Sequence, residues 1–213
     1  MLGGPGAPLV VLLHGFMGTA SDLEPFARSL GVDARFAFPE GLVDLASRGL
    51  VGRAWWPTDV DARAAALAKG PRDMSAFVPE GLGEARAYLE DFLDGLPSED
   101  RSRPLVVGGF SQGAMLSCEL ALVTSRPLAG LVLFSGARID AGRWQPLYSA
   151  RRGLRVFMSH GAGDPDLAFS AAETFRADLS SAGWDVTWCP FQGGHEIPLP
   201  AWRAFKRWLL SVA

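Results

Sequence analysis

Apolar residues in this chain gather into six short runs: Leu9–His14, Ala34–Phe38, Leu105–Phe110, Gly130–Phe134, Arg155–His160 and Asp185–Cys189. Each run is about as long as a strand, and several are nearly continuous in apolar residues. That is the pattern of a parallel sheet covered on both faces, since a sheet with one wet face would alternate polar and apolar positions. Between the runs the pattern changes to helical spacing and predicts helices over Ser21–Leu30, Glu80–Leu93, Gln112–Val123, Ala168–Ala182 and Ala201–Val212. Ser21-x-x-Glu24 reads as a capping box for the first of these. Leu82, Ala85, Leu89 and Phe92 share a face of the second, which ends before Gly95 and Pro97. Ala172, Phe175 and Leu179 line the fourth up to Gly183, while Trp202, Phe205, Trp208 and Leu209 give the last helix a docking face. Strand alternating with helix through right-handed crossovers predicts a compact α/β fold. Its mostly parallel sheet of about six strands has helices on both faces and its ligand chemistry at the carboxyl ends of the strands.

Two intervals break the alternation. Residues 39–78 hold Trp55-Trp56-Pro57, an alanine-rich stretch at Ala62–Lys69 and Gly70-Pro71. A connection this long commonly forms a lid or a pocket wall. Residues 135–153 make a shorter irregular excursion. With no internal repeat, low-complexity tract or linker, the 213 residues are expected to form one domain over 1–213, large enough for a sizeable core.

Composition excludes more than it selects. A net charge of −3 with scattered Lys and Arg leaves no basic footprint for nucleic acid. No run of about 18 apolar residues exists, so stable membrane insertion is not expected. The short run Leu9–Leu13 lacks a preceding Lys or Arg and ends in His-Gly, unlike a signal peptide, which leaves the cytoplasm as the default location. Two cysteines, Cys118 and Cys189, give no disulfide framework and read as reduced, buried thiols.

The chemistry concentrates at Gly109-Phe110-Ser111-Gln112-Gly113, which follows an apolar run and opens a helical segment. Strand, Gly-x-Ser-x-Gly and helix is the setting in which a serine hydroxyl becomes a nucleophile, on a turn too sharp for side chains beside it. All three histidines lie where a strand meets a loop: His14, His160 and His195. A nucleophilic serine needs a histidine base and a carboxylate to fix its tautomer. In hydrolases with this turn the partners follow in the order serine, acid, histidine, which Ser111, Asp164 and His195 satisfy. Asp166 would point differently and suits a cap for the helix near Ala168; Asp140 is a weaker third candidate for the acid. Donors for the oxyanion are expected from the Gln112 N–H and, in the loop His14–Gly18, from the Phe16 N–H. His14 is expected to hold that loop by a hydrogen bond, and His160 to be a structural turn residue. No Cys/His/Asp cluster has metal-ligand spacing, so no metal or other cofactor is assigned.

Candidates for the substrate pocket are Phe16, Met17, Trp55, Trp56, Met74 and Phe77. Side chains of adjacent residues in an extended segment diverge, so one of Trp55 and Trp56 is expected in the core and the other at the cleft. Arg53 and Arg72 are possible anchors but read better as solvated loop charges. A cleft without a cationic anchor favours a neutral, hydrophobic substrate.

These motifs together resemble the bacterial carboxylesterase/phospholipase family that includes the acyl-protein thioesterases, within the α/β-hydrolase fold. The matching pieces are Leu12-Leu13-His14-Gly15, Gly109-Phe110-Ser111-Gln112-Gly113-Ala114-Met115, His160-Gly161-x-x-Asp164-Pro165 and Gly194-His195-Glu196-Ile197, in the family's order over nearly the whole chain. The resemblance implies Ser111, Asp164 and His195 as the triad and Phe16 and Gln112 as oxyanion donors. Trp55-Trp56-Pro57 is similar to the family's aromatic motif beside the acyl pocket. The chain departs from the family at Phe16-Met17-Gly18-Thr19, where the thioesterases continue Gly-Asp, and at Asp166-Leu167-Ala168, where a Val-Val-Pro-like run is usual. It also starts almost at the oxyanion strand, without the two leading strands of larger hydrolases. The expected activity is that of a carboxylesterase, with lysophospholipase or thioesterase activity in range, on a small-molecule ester or thioester. Acyl transfer and peptide cleavage use the same triad, and a non-catalytic binding protein on this fold is the reading from another class, although such proteins usually lose a triad member. The expected assembly is a monomer or homodimer.

Overall fold

The computed structural model describes residue 4 and residues 6–212. The chain runs β1 (Leu9–Leu13), α1 (Ala20–Leu30), β2 (Arg35–Ala37), β3 (Val43–Asp44), β4 (Arg53–Ala54), α2 (Val60–Leu67), α3 (Leu82–Asp94) and α4 (Ser98–Arg101). It continues β5 (Leu105–Phe110), α5 (Gln112–Val123), β6 (Gly130–Phe134), α6 (Ala141–Trp144), β7 (Arg155–Gly161), α7 (Phe169–Ser181), β8 (Asp185–Phe191) and α8 (Leu199–Val212). The six apolar runs form one sheet of order β2-β1-β5-β6-β7-β8, parallel at every pairing.

Strand periodicity assigns the side chains to two cores. Val10, Leu12, Val106, Val132, Phe134 and Phe157 face α1 and α8. Their neighbours Leu9, Val11, Leu13, Val107, Leu131 and Met158 face α3, α5 and α7. Both faces of β1, β5, β6 and β7 are therefore dry, which is why those strands are nearly continuous in apolar residues, whereas the edge strand β8 is exposed at Asp185, Thr187 and Pro190. Helix α5 is buried from Gln112 to Leu122. The one carboxylate in that span, Glu119, accepts from Arg86 Nη1 at 3.1 Å, from Trp144 Nε1 at 2.7 Å and from Arg143. Those donors remove the cost of leaving a buried charge unpaired.

Several predicted details are corrected. The cap of α1 is Thr19, whose N–H donates to Asp22 Oδ2 at 2.7 Å. Glu24 pairs instead with Arg28 one turn on, so Ser21 and Glu24 do not form the capping box. Leu93 rather than Phe92 completes the buried face of α3, because steps of three, four and four residues from Leu82 end there. Residues 39–78 are more ordered than their composition suggests. They hold the β3–β4 hairpin, a 3-10 turn at Ala46–Arg48 and α2. Residues 135–153 hold α6 and a 3-10 turn at Gln145–Arg151. Elements of two to eight residues are too short to impose a periodicity on the sequence.

The docking of α8 rests on Phe205, whose ring lies 5.3 Å from Phe134, 5.8 Å from Phe157 and 5.3 Å from Trp202. Phe205→Ala is expected to destabilise the fold by about 3–5 kcal/mol. The measurement is a urea titration in which the midpoint falls while the slope stays constant.

Candidate active site

Ser111 joins β5 to α5 with φ 53° and ψ −116°, a strained backbone for a residue with a side chain. The surrounding hydrogen bonds hold it there: its N–H donates to Phe134 O at 2.9 Å and its carbonyl accepts from Met115 N–H at 3.1 Å. The turn also packs against the end of β1 with no room for side chains. A Cβ on Gly109 would stand 2.5 Å from Leu13 O, and one on Gly113 would stand 2.4 Å from Leu13 O and 2.5 Å from His14 O. The glycines of the motif thus bring the start of α5 against the loop that follows β1.

Ser111, His195 and Asp164 form one hydrogen-bonded chain. Ser111 Oγ lies 2.8 Å from His195 Nε2, and His195 Nδ1 lies 2.7 Å from Asp164 Oδ2. Because the carboxylate is an acceptor, Nδ1 carries the ring proton and Nε2 is left to accept from the serine hydroxyl. The Asp164 side chain is fully buried. Burial by itself would raise its pKa. Hydrogen bonds from His160, His195 and the Leu167 N–H outweigh that and hold the carboxyl well below the usual carboxylate range. Asp164 Oδ1 accepts the N–H groups of Asp166 and Leu167 at 2.8 and 2.9 Å, and His160 Nε2 stands 3.2 Å from Oδ2. His160, read from the sequence as a turn residue, is therefore in contact with Asp164 as well as with Leu167 O at 3.1 Å. The loops carrying Asp164 and His195 are tied by Gly163 N–H to Gly193 O at 2.9 Å and Ala162 N–H to Phe191 O at 2.8 Å.

The Phe16 and Gln112 N–H groups have no hydrogen-bond partner among the described residues. The loop that carries Phe16 is braced from the long segment. His14 Nδ1 donates to Gly15 O at 2.8 Å, and His14 Nε2 accepts the Gly41 N–H at 2.9 Å. Trp55 stacks on the His14 ring at 5.0 Å and donates from Nε1 to His14 O at 2.8 Å, while its N–H donates to Gln112 Oε1 at 2.9 Å. Met17 N–H donates to Arg53 O at 2.9 Å and Arg53 N–H to Gly18 O at 3.0 Å. Residues 41–55 are thus a brace for the loop after β1.

Two cavities meet at Phe16, one lined by Ser111 itself and the other by Phe110 and His195 beside it. One, of about 60 Å³, is lined by Trp56, Met74, Phe77, Met115 and Gln112, and also by Arg63, Arg72 and Asp166. The other, of about 340 Å³, is lined by Met17, Leu23, Phe26, Phe110, Ile197 and His195. Trp55 and Trp56 are both buried, at 1% and 2% exposure, but of the two only Trp56 lines either of these cavities. Trp55 belongs to the brace. Met17 faces the second cavity, apart from Trp56, Met74 and Phe77. Asp166 does not cap α7, whose cap position is Ala168. It accepts instead from Arg63 and Arg72. Arg72 is correspondingly a cleft residue and no solvated loop charge, while Arg53 braces the loop through Nε to Gly41 O at 2.5 Å. Nothing in the sequence marks Arg63 or the convergence of both arginines on Asp166. Asp166 lies 103 residues from Arg63 and 94 from Arg72, and no local pattern marks such a contact.

The model of the phospholipase/carboxylesterase family matches residues 3–209. The chain belongs to the phospholipase/carboxylesterase family. It is 25% identical to acyl-protein thioesterase 1 of Neurospora crassa over 94% of this chain and 84% of that protein. It resembles the crystal structure of esterase PE8 with a TM-score of 0.81 and 26% identity, covering all of this chain and 97% of that one. A carboxylesterase of Bacillus cereus shares the fold with a TM-score of 0.77 at 22% identity, covering 100% of this chain and 92% of that chain. As a member of this family, the chain is a hydrolase of the carboxylesterase type, acting on esters or thioesters. Among the described residues, no helix is long and apolar enough to cross a membrane.

The His14 brace has a pH signature in this esterase. Burial lowers the His14 pKa from its ordinary 6.5, against the opposite pull of the Gly15 carbonyl and Glu40. As pH falls the unfolded chain then binds the proton first, so His14 contributes stability above pH 6.5 that is lost as pH falls through the lowered folded value. The urea midpoint of the wild type is expected to fall between neutrality and about pH 5. His14→Asn, which cannot titrate there, should show a shallower fall. Equal slopes would remove His14 as the source.

Proposed function

We propose that the chain works as a single α/β-hydrolase domain that cleaves carboxylic esters or thioesters through an acyl-enzyme. Ser111 is the nucleophile, His195 the base and then the acid, and Asp164 the carboxylate that orients it. The observation that carries this reading is the unbroken chain Ser111 Oγ–His195–Asp164, at 2.8 and 2.7 Å. His195 Nε2 takes the hydroxyl proton as Ser111 Oγ bonds to the acyl carbon, and the same nitrogen returns the proton to the departing alkoxide or thiolate. Water then attacks the acyl-Ser111 carbon by the same route, releasing the acid. Asp164 stays ionised throughout and stabilises the transient imidazolium. The tetrahedral oxyanion is held by the Phe16 and Gln112 N–H groups, which have no other partner among the described residues.

Trp56, Met74 and Phe77 form the wall of one substrate pocket and Met17 part of the other, while Trp55 acts by holding the loop. All the proposed catalytic groups come from one chain, so a monomer suffices. The unpaired cysteines Cys118 and Cys189 support a cytoplasmic location, where thiols stay reduced.

A fluorophosphonate probe is expected to label the wild type at Ser111, and Ser111→Ala should lose both labelling and ester hydrolysis. A folded wild type that resists the probe would refute the assignment. Asp164→Asn should reduce kcat about 10⁴-fold, because the amide favours the wrong imidazole tautomer. Steady-state kinetics on a p-nitrophenyl ester beside its thioester analogue check this, with circular dichroism confirming the fold.

A further inference from the structure

The two cavities beside Ser111 differ in size and in charge, and the proposed mechanism gives them different occupants. His195 has to reach the leaving atom, so the leaving group lies on the side where His195, Phe110 and Ile197 line the larger cavity. The acyl group then occupies the smaller cavity, beside Gln112, Trp56 and Met115.

That smaller cavity is not neutral. Its lining contains two guanidinium groups, from Arg63 and Arg72, and one carboxylate, from Asp166, so it carries a formal charge of +1. Asp166 Oδ1 accepts from Arg72 Nε at 3.1 Å and from Arg72 Nη2, while Oδ2 accepts from Arg63 Nη2. Arg72 Nη1 and Arg63 Nε and Nη1 donate to no acceptor among the described residues. The two side chains are 27% and 19% exposed, open to a ligand yet withdrawn from bulk water, where an ionic contact is screened least. The Arg63 guanidinium lies 5.4 Å from the centre of the Phe16 ring, so the charge stands one side chain away from the proposed oxyanion site. If pinning α2 to the loop after β7 were the whole purpose, one arginine on Asp166 would serve. The second leaves an excess positive charge facing the reacting serine.

We propose that Arg63 and Arg72 bind a carboxylate at the far end of a short acyl group. This rests on the assignment of Ser111 as the acylated residue. The favoured substrates are half-esters or half-thioesters of short dicarboxylic acids. A guanidinium fork suits that group, since it donates two parallel N–H bonds to one carboxylate. A cavity of about 60 Å³ suits a short acyl chain. The bonds balance as in ordinary ester hydrolysis. Ser111 Oγ displaces the alcohol, which leaves with the proton from His195, and water cleaves the acyl-enzyme to release the dicarboxylate.

The test compares monoethyl glutarate with ethyl pentanoate, of equal acyl length, by acid release in a pH-stat. The half-ester should have a kcat/KM at least about tenfold higher at low salt, and the ratio should shrink as NaCl is raised. Arg63→Gln should lower the ratio about tenfold, and Arg63→Lys, which keeps the charge and loses the fork, by less. Free glutarate should compete with ethyl pentanoate in the wild type, a readout that requires no variant. Preference for ethyl pentanoate, or a ratio unmoved by salt and by Arg63→Gln, in an enzyme whose Ser111 takes the fluorophosphonate would overturn the carboxylate site and leave the hydrolase assignment standing. Failure of labelling together with failure on both esters would remove the assignment of Ser111 and this proposal with it.

Discussion

Everything at the site depends on a contact between backbones that leaves no room for side chains. The turn at Ser111 presses on the last residues of β1, and a Cβ at Gly109 or Gly113 would fall within 2.5 Å of a carbonyl oxygen there. Overlap on that scale can be relieved only by moving the strand or the helix, and packed interiors resist such movement. The closeness has a chemical consequence. It brings the start of α5 against the loop that carries Phe16, although Phe16 and Gln112 lie far apart in sequence. The strained φ of Ser111 is held by the same packing, with the hydroxyl 2.8 Å from His195 Nε2.

Two carboxylates two residues apart illustrate how local geometry separates roles. Asp164 is buried and receives backbone N–H groups on one oxygen and imidazole on the other. This keeps it charged where burial alone would neutralise it. Asp166, on the same loop, turns to the opposite side and gathers Arg63 and Arg72. The Asp166 N–H is itself one of the donors that hold Asp164. Asp164 and the charged wall of the small cavity are therefore built from one turn. The long segment 39–78 contributes to both ends of the site, bracing the loop after β1 through Gly41, Arg53 and Trp55 and supplying Arg63 and Arg72 to the cleft. It is a structural part of the site as much as a cover for it.

The six strands, the five long helices and the grouping of Ser111, Asp164 and His195 were legible in the sequence because each has a local cause. A strand covered on both faces must be apolar along its length, a helix must present an apolar stripe every three or four residues, and a nucleophile on a sharp turn requires glycine beside it. Chain order supplied the rest, since the acid and the histidine follow strands whose carboxyl ends a parallel sheet places side by side. The tertiary structure alone decided which of two adjacent tryptophans meets the cleft, that Thr19 and not Ser21 caps α1, that His160 touches Asp164, and that Arg63 and Arg72 converge on Asp166. Those outcomes depend on which distant segments share a neighbourhood. An arginine in a loop carries no mark of its partner when that partner lies about a hundred residues away, because pairing energy is set by position in space and not by spacing along the chain.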